Sequence, residues 1–499
     1  MSEGLEDPAS VSRAGRRPEA VPDTAEQFVS DRKDFTNWYK SVLEYTQFLD
    51  DRYPLKGCYV WRPFGHQALR RFLDIVDGEL RASGHEEVCF PLLSPESLFS
   101  RESDFLHGVQ SESLRVTHYG AEPLGEDLIV RPTSETIMYP MFALWIRSHA
   151  DLPLRVYQTV PVFRWETKMT VPMLRNREVN KFNEAHTAHS SRGDMERQIT
   201  EAVRTYRRIF DRLLLPYRIF LTPPWDTFPG AEYNFDFIGV LPNGKAVELG
   251  SVIALGTKFS GVYDIGFTTP DGRRELVWQT CYGLSERALG TAVAVHGDEA
   301  GLRLPAELAP WQVVIVPIPT RATAERVHAY AEGLARDLAA EVRVHLDGRD
   351  LAPGRKFYHW EAHGVPLRLE IGGREVNADR VTIAVRYNRR RVEVPRAELP
   401  ATIRRLLAES DAALREGAKE EFQRWFVDLE DEETARSRLA DQGGIVLLPW
   451  DGTVASGREM AERVGGTALG VPVADPERPL ETRDLLGKTS RRLAFARTV

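Results

Sequence analysis

The spacing of hydrophobic residues predicts a mixed α+β fold for the first three hundred residues. Apolar residues recur at helical spacing over residues 35–50, 68–82, 136–147, 194–213 and 288–295. Short apolar runs bounded by proline, glycine or polar residues predict strands over 58–62, 87–90, 127–131, 235–240, 246–249 and 276–282. The predicted strands 235–240 and 246–249 flank the turn Pro242-Asn243-Gly244, which predicts a hairpin.

A different pattern begins near residue 310. Buried strands are predicted at 313–316, 342–346, 368–371 and 381–385, with a helix at 322–338 among them. Strands that alternate with helices are typical of an α/β domain. A long helix follows at 399–426, with an expected interruption at Gly417, and the final segment holds a strand at 445–448.

One predicted hairpin places charge within a hydrophobic frame. Arg164 and Glu166 alternate with aromatic residues at strand spacing, and a basic loop containing Arg175 leads into a second strand. The planar fork of arginine suits carboxylate and phosphate, and glutamate suits an amino group. The pattern therefore indicates a site for an amino acid and a polyphosphate. A surface hairpin with solvated ion pairs remains an equally open alternative.

Polar residues at the starts of two predicted helices could either stabilise the helix or bind a ligand. Thr133 occupies the expected N-cap of helix 136–147, and Glu135 falls in its first turn, which fits either a capping motif or a ligand site. Arg287 lies in the first turn of helix 288–295. A cation there opposes the helix dipole unless an anion lies nearby, so Arg287 is a candidate anion ligand.

Composition limits the class of protein. A chain of 499 residues should hold about three domains of roughly 100–200 residues each. With a net charge of −8, any contact with nucleic acid must use local basic patches. The three cysteines are far apart and form no C-x-x-C motif, which argues against a disulfide framework and fits the cytoplasm. Without a long apolar run, no membrane span or secretion signal is expected.

Taken together, the motifs resemble those of class II aminoacyl-tRNA synthetases, specifically prolyl-tRNA synthetases of the archaeal and eukaryotic type. The predicted helix and strand that end at Pro91 resemble class II motif 1, residues 164–189 resemble motif 2, and residues 283–290 resemble motif 3, with Arg287 as its arginine. Further matches to the family lie at residues 131–135, 184–189, 228–233, 279–283 and 296–298, and residues 347–361 and 364–370 resemble the anticodon-binding domain. Several motifs in the right order are a far stronger signal than any one of them.

The resemblance implies a multidomain α/β and α+β protein. We expect a class II catalytic core on an antiparallel sheet at 28–305, an α/β anticodon-binding domain at 306–408 and a small α/β C-terminal domain at 409–499. Residues 1–27 are rich in proline, serine and charge, and should form a disordered tail. Motif 1 carries the dimer interface in this family, so a homodimer is expected.

The implied activity is the ATP-dependent formation of prolyl adenylate, followed by transfer of proline to tRNA(Pro), with Mg²⁺ neutralising the triphosphate. Arg164 and Arg287 would be the catalytic residues. The expected ATP ligands are Arg164, Glu166, Arg175, Glu248, Ser251 and Arg287. The expected amino-acid ligands are Thr133, Glu135, Arg164, Phe182, His186 and Ile253, and the expected tRNA ligands are Asp347, Arg349 and Lys356. A charged surface loop is the alternative for this last set.

No protein-bound metal is expected. His186 and His189 could form a metal pair, but no third ligand with recognisable spacing lies nearby in the sequence. Asp451 also stands where many relatives have a zinc-binding cysteine, so we expect a C-terminal domain without zinc.

Several positions depart from the family pattern and cluster on the expected substrate pocket. Glu248, Ser251 and Ile253 stand where the family usually has Gln, Thr and His, and Val109 and Arg115 stand where it usually has Phe and Trp. A glutamate near a triphosphate is repulsive unless Mg²⁺ or protonation intervenes.

These departures leave two interpretations open. In the first, the chain is a proline enzyme with tolerated substitutions or resistance to an inhibitor. In the second, it is a paralogue that adenylates another amino acid or uses another acyl acceptor. A non-enzymatic RNA-binding protein is less consistent with the retained arginines Arg164, Arg175 and Arg287.

Overall fold

The structure, a computed structural model, describes residues 31–102, 111–473 and 491–499. The predicted tail at 1–27 and the departure at Val109 lie outside the described residues. No helix in the described ranges is long and apolar enough to cross a membrane.

The central element is the hairpin that joins strands Leu154–Phe163 and Glu178–His189, as predicted from the charged stretch. The two strands pair antiparallel from Leu154 opposite Ala188 to Phe163 opposite Glu178. Arg164 and Glu166 were expected on the strand, but the strand ends at Phe163 and both residues lie in the loop that follows. The loop holds them at the rim of the sheet, where a ligand can reach both.

The hairpin belongs to a sheet of eleven strands among the described residues. Across the sheet, the order is Phe426–Asp428, Ile445–Trp450, Arg491–Ala496, Thr467–Pro472, Arg218–Leu221, Tyr233–Val240, Ala246–Gly256, Trp278–Leu284, Glu178–His189, Leu154–Phe163 and Glu86–Glu87. The strands of the C-terminal segment extend the catalytic sheet, because Val471 and Pro472 pair with Leu221 and Phe220.

Helices Pro63–Ala82 and Arg192–Arg212 cover one face of this sheet. Helix Arg192–Arg212 begins where the Ser191 hydroxyl accepts a hydrogen bond from the Asp194 amide (3.2 Å), and its apolar stripe packs on the sheet. Helix Glu135–Trp145 packs on part of the other face. None of the described segments covers the rest of that face, which forms the candidate site.

The second domain has the predicted α/β architecture. Its sheet runs in the order Val344–Leu346, Val313–Ile318, Leu367–Gly372, Arg380–Val385 and Arg391–Pro395. The first three of these strands are parallel, and the remaining pairs are antiparallel. Helices Ala324–Leu338 and Pro353–Ala362 pack beside them, and helix Leu399–Arg424 runs on without the interruption expected at Gly417. Glycine lowers helix propensity but keeps its backbone N–H, so no helical hydrogen bond is lost and the helix tolerates Gly417.

Some predicted boundaries were wrong for local reasons. The predicted helix 35–50 ends at Tyr45, because Gln47 adopts a positive φ of 53° and Leu49–Asp50 pairs as a strand with Val60–Trp61. Thr133 is not the N-cap residue, since Ser134 holds that position before helix Glu135–Trp145.

The buried His296 gives a pH dependence to stability. Its Nε2 contacts the carbonyl oxygen of Leu213 (3.0 Å), and burial lowers the pKa of His296 from 6.5 to about 4, against the opposing effect of that hydrogen bond. The unfolded chain therefore binds the extra proton first as the pH falls, and the folded state loses stability between pH 6.5 and 4.

We expect His296→Gln, whose amide can still donate to Leu213, to remove this dependence. Relative to the variant, the wild-type protein should lose about 1.4 kcal/mol of unfolding free energy per pH unit through that window. Thermal unfolding midpoints of both proteins, measured from pH 4 to 8, check this. The difference between them should be constant above pH 7, and a constant difference at every pH would contradict the prediction.

Candidate active site

The candidate site is a cavity of about 480 Å³ on the open face of the sheet. Two rows of residues across neighbouring strands form its floor. One row is Ser251, Gly283 and Glu184, and the next is Ile253 and Cys281, with His186 continuing the second row behind the cavity wall. The rim brings in Thr133, Glu135, Arg164, Glu166, Phe182, Phe228, Asp236, Glu248 and Arg287. Most of the residues predicted for ATP and amino acid therefore meet in one place, with Arg175 and His186 set apart.

One end of the cavity is narrow and buried. The Thr133 hydroxyl donates a hydrogen bond to the Glu135 carboxylate, which is only 2% exposed. The Cys281 thiol lies 3.7 Å from the other Glu135 oxygen, and burial, ahead of the nearby carboxylates, raises the pKa of this thiol. Phe182 and Ile253 add apolar surface. A small cationic group with an apolar body would fit this end.

His186 lies behind the cavity wall, since it is fully buried and does not reach the cavity surface. Its Nδ1 is 3.0 Å from the Tyr139 hydroxyl, and its Nε2 is 3.6 Å from Glu184. Glu184 also accepts hydrogen bonds from Ser134 and from Gln158 (3.2 Å). Burial alone would raise the pKa of Glu184, but its contacts with His186 and Ser134 and the charge of Arg131 outweigh burial and lower that pKa. Glu184 was not predicted as a site residue, although it lies in the stretch 184–189 that matches the family.

Two arginines dominate the other end. The Arg164 Nε donates to the carbonyl oxygen of Pro132 (2.9 Å), and the Arg287 Nε donates to that of Leu174 (3.0 Å). Within the described ranges, neither guanidinium forms an ion pair with a carboxylate. Backbone carbonyls thus orient both side chains and leave their positive charge for a ligand.

Arg175 lies in an adjoining hollow of about 200 Å³ that also contains Arg287 and Glu248. It contacts Glu166 (3.2 Å) and donates to the carbonyl oxygen of Val499. Glu166 and Arg175 were predicted as separate ATP ligands, and the structure pairs them in the loop. The pair can separate to meet a ligand because both side chains are partly exposed.

Three carboxylates, Asp226, Asp236 and Glu248, face the arginine end. The Ser251 hydroxyl donates to Asp236 (2.6 Å) and lies 3.1 Å from Glu248. Burial, followed by repulsion from Glu248, raises the pKa of Asp236 to about 7. Only Glu248 was identified from the sequence, since Asp226 and Asp236 are single acids in a loop and a strand.

Glu286, next to Arg287, was also missed. It is buried and accepts hydrogen bonds from Asn176 Nδ2 (2.8 Å) and from the Lys181 amide (3.2 Å). Burial raises the pKa of Glu286 to about 7. This residue ties the hairpin loop to the start of helix Arg287–His296 and so sets where Arg287 points.

The predicted tRNA ligands lie together in the α/β domain. Asp347 is buried, and its carboxylate accepts from Arg349 (2.7 Å) and from Trp360 Nε1 (2.8 Å). Lys356 is buried as well and donates to the Asp347 carbonyl oxygen (3.1 Å). Only Arg349, of these three predicted ligands, keeps a partly exposed side chain.

Two of the residues that differ from the family pattern lie outside the cavity. Arg115 begins strand Arg115–Tyr119 of a separate three-stranded sheet and pairs with Glu96. Asp451 accepts a hydrogen bond from the Thr453 amide (2.8 Å) and shapes the turn before helix Val454–Val464. A zinc-free C-terminal domain stays a prediction.

Two family models match large parts of this chain. Residues 117–296 match the tRNA synthetase class II core domain (G, H, P, S and T), and residues 312–406 match the anticodon binding domain. The chain is 42% identical to a proline--tRNA ligase of Methanopyrus kandleri, over 92% of this chain and 95% of that protein. It is 46% identical to a proline--tRNA ligase of Aeropyrum pernix, over 90% of this chain and 93% of that protein.

Solved structures show the same fold. A prolyl-tRNA synthetase of Cryptosporidium parvum, complexed with halofuginone and AMPPNP, has a TM-score of 0.86 at 30% identity and covers 95% of this chain and 99% of its own. A Giardia lamblia prolyl-tRNA synthetase in complex with prolyl-adenylate has a TM-score of 0.87 at 29% identity, with the same coverage of both chains. These relatives give no support to the paralogue interpretation. This chain belongs to the proline--tRNA ligases, class II aminoacyl-tRNA synthetases that activate proline with ATP and transfer it to tRNA.

Proposed function

We propose that ATP and proline bind end to end in the cavity, with Arg164 at the point where they meet. The observation that supports this is the pair of arginines, Arg164 and Arg287, held by carbonyl oxygens and without a carboxylate partner in the described ranges. Arg164 would contact the α-phosphate and the amino-acid carboxylate, and Arg287 the γ-phosphate. Glu166 would hold the adenine amino group, and Arg175 the outer phosphates.

The buried end would hold proline. Glu135 and Thr133 would bind its imino nitrogen, which is cationic at neutral pH, and Phe182 and Ile253 would pack on its ring. His186 would act from behind the wall by holding Glu184 and Tyr139 in place. An apolar contact from Ile253 suits a saturated ring, so this departure is compatible with proline.

In the first step, a proline carboxylate oxygen attacks the α-phosphorus, a new O–P bond forms, and the bond to the β-phosphate breaks to release pyrophosphate. The hydroxyl of the terminal tRNA adenosine then attacks the acyl carbon, and AMP leaves. The chain supplies position and charge for both steps, without a protein nucleophile. Arg164 would stabilise the charge that develops on the α-phosphate.

Asp226, Asp236 and Glu248 fit Mg²⁺. Oxygen donors are what this ion prefers, and the pKa of Asp236 is raised first by burial and then by the nearby charge of Glu248, which a bound cation would offset. Bound Mg²⁺ would neutralise the triphosphate. With Mg²⁺ present, the Glu248 carboxylate, which stands where the family usually has Gln, would bind the ion instead of repelling the triphosphate.

In the α/β domain, Arg349 would contact tRNA, with Asp347 and Lys356 holding it. A neighbouring hollow of about 210 Å³ adds Trp360, Arg368, Arg389 and Arg391. Arg368 and Arg391 share one carboxylate, Glu370, and Arg389 pairs with Glu361, so positive charge remains in excess. Such a local basic patch with an aromatic ring suits an unpaired RNA base in a chain of net negative charge. A location in the cytoplasm would agree with the three unpaired cysteines.

A homodimer would cover an apolar groove of about 550 Å³ on the motif 1 side. Its walls include Phe90, Pro91, Met141 and Trp145, and Leu144 nearby is 61% exposed. Aromatic residues and methionine are enriched at interfaces, and exposed apolar patches of this kind mark them. A second copy of the chain is the occupant we propose, since the groove is continuous with the predicted motif 1.

Wild-type enzyme should support ATP–pyrophosphate exchange with proline and with no other acid in a panel of amino and imino acids, and should then charge tRNA(Pro). Arg164→Ala should lower kcat of exchange by about 10²- to 10³-fold, because charge on the α-phosphate loses its stabilising contact. Arg273→Ala, at an exposed ion-paired arginine, is the control. Exchange driven by another acid would refute the assignment of proline.

Glu248→Gln tests the metal role. If Glu248 helps hold Mg²⁺, the concentration of Mg²⁺ that gives half-maximal exchange should rise by about tenfold, since one charged ligand is lost. Asp271→Asn changes an exposed carboxylate far from the cavity and should leave that value unchanged. A lower KM for ATP with no change in the Mg²⁺ requirement would instead mean that Glu248 only repels the triphosphate.

Leu144→Glu should weaken self-association by about thirtyfold or more, because it places a charge in an apolar interface. Sedimentation velocity over a range of protein concentrations measures this. Val454→Glu alters an exposed apolar residue at the start of helix Val454–Val464 and serves as the matched control. An unchanged dimer in Leu144→Glu would place the interface elsewhere.

A further inference from the structure

Three potential metal ligands meet at the buried end of the cavity. The ligand atoms of Glu135, His186 and Cys281 all lie within 4.8 Å of one another, and all three residues are buried. Cys281 and His186 are directly opposite each other on neighbouring strands. Glu135 reaches them from the first position of helix Glu135–Trp145. The cluster is not the pair of His186 and His189 considered from the sequence: Glu135 and Cys281 join His186, and sequence spacing could not reveal them because the sheet and the helix bring them from far along the chain.

One atom of the cluster lacks a hydrogen bond. His186 Nδ1 is engaged with the Tyr139 hydroxyl at 3.0 Å. His186 Nε2 is buried and lies 3.6 Å from a Glu184 carboxylate oxygen, too far for a hydrogen bond, and within the described ranges it has no hydrogen-bond partner. A buried polar atom in this state is uncommon and costly, and an absent ion is one accepted explanation. The contact with Tyr139 is the kind of outer interaction that orients a metal-binding histidine.

The donor set favours a thiophilic divalent cation. A thiolate, a carboxylate and a neutral imidazole together carry two negative charges, which one divalent cation balances. Zn²⁺ binds sulfur, nitrogen and oxygen ligands of these types in tetrahedral geometry. Mg²⁺ and Ca²⁺ prefer all-oxygen sites and would bind poorly here. Because Glu135 and Cys281 line the cavity, the fourth position would open toward it.

We propose that the amino-acid end of the cavity binds Zn²⁺, or a cation of similar softness, through Cys281, His186 and Glu135, and that the bound ion excludes proline. Exclusion follows because the Glu135 carboxylate cannot hold the ion and the imino nitrogen together. This second part rests on the proposed role of Glu135 in binding proline. On binding, the thiol proton passes to solvent and a sulfur–metal bond forms, with no change of oxidation state.

Cobalt(II) is the probe for binding, because a thiolate ligand gives it a near-ultraviolet charge-transfer band. Full-length wild-type protein titrated with Co²⁺ should show this band, and proline should abolish it. Cys281→Ser should lose the band, whereas Cys89→Ser, at an exposed cysteine, should keep it. Tyr139→Phe keeps all three ligands and should weaken Co²⁺ binding by about 10- to 100-fold.

Enzyme kinetics test whether the bound metal ion excludes proline. Buffered Zn²⁺ should raise the KM for proline in ATP–pyrophosphate exchange by about tenfold or more, leave kcat unchanged, and be reversed by a chelator. In Cys281→Ser, the KM for proline should not change when Zn²⁺ is added. A retained affinity for ATP would show that this variant is folded.

A missing charge-transfer band in the wild type, or an equal band in Cys281→Ser, would overturn the metal site and leave the proposed function untouched. A band that persists at saturating proline would overturn exclusion and, with it, the contact between Glu135 and the imino nitrogen. Inhibition by Zn²⁺ that proline does not relieve would also overturn exclusion.

Discussion

The registration of three antiparallel strands is the constraint on which the site depends. Ala246–Gly256, Trp278–Leu284 and Glu178–His189 align so that Ser251, Gly283 and Glu184 form one row and Ile253, Cys281 and His186 the next. Side chains alternate between faces, so a slip of one residue would send both rows into the apolar face under helix Arg192–Arg212. Burial of the large core on that face therefore fixes the strand register, and the register fixes the positions of the site residues on the other face.

The charges of the site remain unbalanced because ligands are needed to balance them. Arg164 and Arg287 are anchored to carbonyl oxygens, while Asp236 and Glu248 crowd together nearby. Pairing these groups with each other would stabilise the free protein but would leave little for ATP and Mg²⁺. Conflicts of this kind between stability and charge placement are expected at functional sites.

The buried end of the cavity also carries negative charge that a ligand would balance, and there a thiol joins the carboxylate and the imidazole. Glu135, His186 and Cys281 are close enough for a small cationic group or for a metal ion, and both would neutralise the same negative charge. The same features that suit an imino nitrogen thus suit Zn²⁺. Selectivity between the two is decided by Cys281, because a thiolate binds Zn²⁺ far better than it binds an imino group.

The sequence alone determined the central hairpin, the long helices, the α/β second domain and the arginines of motifs 2 and 3, because periodicity and local motifs are short-range properties. It did not predict short elements such as strands Arg218–Leu221 and Thr467–Pro472 or helix Pro353–Ala362. Tertiary structure decided which polar residues meet. Asp226, Asp236 and Glu286 carry no local signal and gain their roles from the sheet and loops around them, and Asp347 turned out to be buried beneath Arg349. Burial and contacts between distant residues depend on how strands and helices pack, and no pattern along the chain records them.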